Sequence, residues 1–154
     1  MSDLRQRFFI ENSPVRGEVV HLEEALQTIL SQRAYAPAIK ILLGEMLSAT
    51  ALLASTLKIK GRISLQIQAS GSLKWAMAEC NHLGEVRALA DYEEDHHFDQ
   101  AENSSTVLAT LVKPVLFMNI EPEFGERYQG IVPLDKPTLA KCLMQYYDLS
   151  AQIP

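Results

Sequence analysis

Seventeen consecutive residues, Ile41 to Leu57, carry one charge, Glu45. On a helix stepping about 100° per residue, Ile41, Leu42, Leu43, Met46, Leu47, Leu52, Leu53 and Leu57 cover about two-thirds of the circumference. Gly44, Ser48, Ala51 and Ser55 fill the remainder as a stripe of small side chains. No charged face is left for water, and a helix apolar on all sides sits in a protein core or in lipid. A membrane span needs about 20 predominantly apolar residues with anchors at both ends. Here Lys40 and Lys58 bracket a shorter run, and Glu45 interrupts it where a carboxylate is costly. The stretch therefore predicts a core helix and no membrane partner. Its small stripe predicts that a strand or helix backbone comes close.

The flanking sequence supplies layers for such a helix. Arg7–Ile10 and Val15–Leu22 read as two short strands around Asn12-Ser13-Pro14. Glu23–Gln32 reads as an amphipathic helix with Leu22, Leu26, Ile29 and Leu30 on one face, and Pro37 suits the first turn of the next helix. After Gly61 the period switches to two: Ile63, Leu65 and Ile67 face inward, Ser64, Gln66 and Gln68 outward. Turns at Ser70-Gly71 and Asn81–Gly84 extend this strand into a three-stranded meander through Leu73–Glu79 and Glu85–Ala90. Asp91–Asn103 reads as an acidic loop and Ser105–Leu111 as a short helix. Val115–Ile120 and Arg127–Val132 form a hairpin, and a last helix after Pro137 includes Leu139, Cys142, Leu143 and Tyr146. The fold class is α+β, with antiparallel sheets on both sides of the apolar helix and flanking helices.

Charge and cysteine content narrow the partners. A net charge of −5 argues against nucleic acid, which needs a clustered basic surface, and against an anionic membrane surface. Met1 to Arg7 shows no apolar stretch of a secretory signal, and two distant cysteines, Cys80 and Cys142, read as reduced thiols of a cytoplasmic protein. A disulfide between them is a question of geometry.

Candidate chemistry is sparse. Asp95-His96-His97-Phe98-Asp99 lacks metal-ligand spacing and reads as a solvated loop. Cys80-Asn81-His82 has no orienting acid nearby and reads as a turn. Trp75 and Met77, two apart on a strand, read as core rather than as a binding platform. Glu45 reads as a structural buried carboxylate paired with Arg16, Arg87 or Arg127, the sharper alternative being a catalytic base. Glu121, Glu123 and Glu126 read as a solvated hairpin end. An enzymatic or small-molecule-binding domain would use Glu45 or that glutamate cluster in a concave site with convergent polar groups. No phosphate loop, dinucleotide fingerprint, nucleophile elbow or zinc quartet is present, so no catalytic residue, cofactor site or metal site is assigned and the chain reads as no enzyme.

Val15-Arg16-Gly17-Glu18 ahead of a helix, the block LLGEMLSATALLASTLKIKGRISLQIQASGSLKWAM from Leu42 to Met77, and GERYQGIVPL from Gly125 to Leu134 leading into TLAKCLMQYYDLSAQIP occur in one order. Together they resemble the N-terminal domain of the redox-regulated heat-shock chaperone family, heat-shock protein thirty-three (the HslO family). The resemblance covers residues 1–154 as one client-binding and dimerisation domain. It implies an ATP-independent holdase that binds unfolding proteins under oxidative or heat stress, and a buried helix between sheets. It also implies a C-terminal zinc module with C-x-C and C-x-x-C motifs whose oxidation switches on client binding. Cys80 and Cys142 match neither motif, so that zinc site and its linker are expected beyond Pro154, together with the last strands of the family's first domain. An open sheet edge left by such strands predicts a homodimer, by edge pairing or by exchange of an element.

Overall fold

The computed structural model describes residues 4–9, 11–12, 16–22, 24–56, 60–93 and 105–147. Strands β1 (Leu4–Phe9) and β2 (Arg16–His21) pair antiparallel, with Phe9 opposite Arg16 and Leu4 opposite His21. Helices α1 (Glu24–Ser31) and α2 (Pro37–Thr56) follow. Strands β3 (Gly61–Ser70), β4 (Leu73–Asn81) and β5 (Val86–Tyr92) form the predicted meander. A single turn of helix, α3 (Ser105–Leu108), leads to the hairpin of β6 (Val112–Pro122) and β7 (Tyr128–Val132), and α4 (Leu139–Tyr146) closes the order.

The sequence predicts antiparallel sheets on both sides of the apolar helix, and two sheets do contact α2, the β1-β2 pair and a larger one. The larger sheet joins the meander and the hairpin, because β3 pairs with β6 over nearly its whole length to give five strands in the order β5-β4-β3-β6-β7. Ile63, Leu65 and Ile67 lie at its centre and are buried, as their alternation predicts. Helix α2 lies across the inner face of β3, β4 and β5, while β2 runs along another of its sides.

Small residues on the sheet, rather than on the helix, allow the close approach. The inner positions of β4 and β5 are Ala76, Ala78, Ala88 and Ala90, all buried beneath α2. Without side chains beyond Cβ, that half of the sheet admits the bulky face of α2, made by Ile39, Leu42, Leu43, Met46 and Leu47, each with 0% exposure. Thr50 is also buried there, its hydroxyl donating to the Leu47 carbonyl at 2.9 Å, which satisfies it within the helix. The predicted small stripe is thereby corrected. Gly44 and Ser48 face away from the sheet, and Gly44 receives the Leu26 side chain of α1.

Length does not separate α2 from a membrane span as the 17-residue run suggests, because the helix extends to 20 residues. The Pro37–Ser55 stretch is long and apolar enough to cross a bilayer, with a mean hydropathy of 1.5. Half of it is buried inside the protein, which accounts for its composition. The connection from α1 is pinned to β5: the Arg33 guanidinium donates to the Ala90 carbonyl at 2.8 Å, and the Ala36 amide donates to the Tyr92 hydroxyl at 2.8 Å.

Candidate functional site

With one face of α2 on the sheet, its opposite face is left for helices. Leu26 of α1 stands on one side and Leu143, Met144 and Tyr147 of the α4 region on the other. Between them runs an open groove of about 750 Å³ whose floor is α2 from Ile41 to Leu53. At about 1.5 Å rise per residue this floor is roughly 18 Å long. Ile41, Leu52 and Leu53 are half-buried in it and form the bottom of an open cleft.

Helix α4 makes the far wall through side chains pointing in two directions. Leu139, Cys142 and Tyr146 are buried against the body of the protein, whereas Ala140, Leu143 and Met144 reach the groove, Met144 being 66% exposed. Thr138 caps this helix, its hydroxyl accepting from the Lys141 amide at 3.3 Å. Tyr147, whose hydroxyl is pushed above its ordinary pKa by burial, completes the wall.

Glu45 is the one charged side chain of the groove among the described residues. Of the expected arginine partners, Arg87 and Arg127 are engaged elsewhere. Glu45 is half-buried, Arg87 reaches Glu79 at 3.4 Å, and Arg127 reaches Glu121 at 3.8 Å. The side chain of Arg16 lies outside the described residues. No ion pair to Glu45 forms among the described residues.

Of the other glutamates, Glu121 and Glu123 stand at one open end of the sheet. Glu121 is held by Arg62, whose Nε donates to it at 2.6 Å, and Arg62 also reaches Glu79 at 3.8 Å. Glu121 raises the pKa of the Arg62 guanidinium, first through this hydrogen bond and then through its charge. Glu123 and Glu126 are exposed. Arg62, Arg87 and Arg127 thus tie Glu79 and Glu121 into a surface ion-pair network at one end of the sheet, where Glu121 and Glu123 line an open cleft of about 370 Å³ beside Arg62 and Arg127.

Neither cysteine forms a disulfide, and both are buried. Burial pushes the Cys142 thiol above its ordinary pKa, which disfavours the nucleophilic thiolate. The exposed His82 ring accepts from the Gly61 amide at 3.0 Å and does not address Cys80. No group of three or more potential metal ligands stands together among the described residues. The His96-His97 segment lies outside them.

Trp75 and Met77 are not core, contrary to expectation. Their register partners Gln68 and Gln66 place them on the outer face of the sheet, away from α2, where both are half-buried. There Leu89, Met77, Gln66, Phe117 and Ile131 form one row across all five strands. Ile131 is 61% exposed at its end. The chain thus carries a second apolar surface that the alternation of β4 conceals, because alanines take the inward positions.

Comparison with known proteins agrees with this architecture. The family model described as Hsp33 protein matches residues 3–154. A 33 kDa chaperonin of Shewanella sp. (strain W3-18-1) is 41% identical over 153 residues, covering 99% of this chain and 51% of the relative. A 33 kDa chaperonin of Pseudoalteromonas atlantica is 42% identical over 151 residues, covering 98% and 50%. The crystal structure of a 33 kDa chaperonin from Thermotoga maritima superposes with a TM-score of 0.81 at 21% identity, over 97% of this chain and 52% of that one, and so shares the fold. The chain spans about half the length of these relatives and belongs to the Hsp33 protein family.

Proposed function

We propose that residues 1–154 act as a holdase domain, capturing apolar segments of unfolding proteins without nucleotide and keeping them from aggregating. The observation that carries this reading is the open groove on α2, lined by aliphatic side chains from three helices in a chain of this family. Apolar concavities left open on a folded domain bind other apolar surface. The enzymatic alternative has no support: Glu45 stands among aliphatic side chains and Glu121 is engaged by arginines.

A cytoplasmic location fits the reading, since thiols such as Cys80 and Cys142 persist reduced there. A homodimer fits as well: β1 and β2 pair only with each other among the described residues, leaving strand edges for a second copy. Zinc-linked redox control belongs, in this reading, to cysteine motifs that Cys80 and Cys142 do not supply. Client capture by residues 1–154 on their own is therefore expected to be independent of oxidant.

The test is light scattering of a chemically unfolded client without nucleotide, with and without peroxide. Equal suppression of aggregation in both conditions is the expected result. Absence of suppression in both would remove the holdase reading, and suppression only with peroxide would remove its oxidant independence.

A further inference from the structure

Within the holdase reading, on which this step rests, Glu45 selects what the groove accepts. We infer that the groove takes apolar protein segments bearing one basic residue, a lysine or arginine that meets the Glu45 carboxylate. Ile41 stands one turn before Glu45 along the floor, while Gly44, Ser48 and Ala49 around it are small and leave the side chain open to a segment lying in the cleft. Glu45 has no ion-pair partner among the described residues. A purely apolar segment would strip water from that carboxylate and return nothing, and an acidic segment would add repulsion. A basic side chain restores the lost hydration with charge-assisted hydrogen bonds while its aliphatic stem lies on the apolar floor. The net charge of −5 acts in the same direction during encounter.

The same carboxylate disfavours other occupants. A second copy docking groove to groove across a two-fold axis would bury two Glu45 carboxylates in one apolar interface with no cation supplied by either groove. A fatty acid would set its own carboxylate against the same charge.

The experiment is fluorescence anisotropy with the 154-residue chain and three labelled peptides of one apolar sequence, differing only in a central Lys, Gln or Glu. The Lys peptide is expected to bind about fivefold tighter than the Gln peptide, and the Glu peptide weakest. Glu45→Gln should erase the ranking and Glu45→Lys should invert it, circular dichroism establishing that both variants are folded. Equal affinities for the unmodified protein, or a ranking that survives Glu45→Gln, would overturn the inference. So would a concentration-dependent dimer strengthened by Glu45→Gln, which would give the groove to a second copy. Client aggregation measured alongside separates the two levels. Suppression with a flat peptide ranking sinks the selectivity alone, and no suppression sinks the holdase reading and this inference with it.

Discussion

The Tyr146 hydroxyl on α4 hydrogen-bonds the Tyr128 hydroxyl on β7, and both lie over Gly130, whose missing side chain makes the room. A Cβ at position 130 would collide with the Tyr146 hydroxyl and press on that of Tyr128. Two positions of the GERYQG motif thus have a mechanical role: they dock the helix that forms the far wall of the groove. Gly130→Ala should cost about 1–3 kcal/mol in urea unfolding, the usual range for forced overpacking. The loss should shrink in a Tyr146→Phe background, where the colliding oxygen is gone. An equal loss in both backgrounds would show that the hydroxyl is not the obstruction.

The same pair sets an alkaline limit. Burial, and then the neighbouring Tyr128, raise the Tyr146 pKa from 10.0 to about 12. Between those values the folded protein keeps a proton that the unfolded chain releases, so stability falls as pH rises from 10 to about 12. Chemical denaturation across this window should show the decline, and Tyr146→Phe should make it shallower, the buried Tyr147 hydroxyl supplying what remains.

Two leucines on α2 should separate core from groove. Leu43 has 0% exposure beneath the helix, and Leu43→Ala should cost about 2–5 kcal/mol. Leu52 is half-buried in the groove, so Leu52→Ala should cost less than about 1.5 kcal/mol while weakening client binding. Urea midpoints and aggregation suppression together give both readings.

Glu121→Gln tests whether the sheet-end ion pairs do anything beyond the surface. Its partners Arg62 and Arg127 have side chains 50% and 77% exposed, so the change should alter stability by less than about 1 kcal/mol. Aggregation suppression should be unaffected. Loss of suppression with stability retained would return the glutamate cluster to functional consideration.

Much of the fold is legible in the chain. The period-two pattern of Ile63, Leu65 and Ile67 marks a half-buried strand wherever it lands, and the turn at Asn81–Gly84 is written in local chemistry. Asn81 accepts from the Leu83 and Glu85 amides at 3.0 and 2.9 Å. The groove is less legible. Met144 and Tyr147 carry no signal of their own in the sequence, although with Ala140 and Leu143 they continue the apolar arc of α4 beyond the face that holds Cys142. Trp75 and Met77 misled because size suggests burial, whereas Ala76 and Ala78 are the buried partners.

By itself the sequence determined that one long apolar helix must be shielded by strands and helices, and that no familiar catalytic group accompanies it. Those properties follow from local periodicity and side-chain chemistry, which each segment carries alone. Tertiary structure decided which side of each element is shielded. Pairing of β3 with β6 joined the meander and the hairpin into one sheet, alanines gave that sheet room for α2, and the opposite side of the helix was left as a groove with Glu45 in it. That choice depends on contacts between residues far apart in the chain, where shape and close packing, rather than hydrophobicity, select the partner.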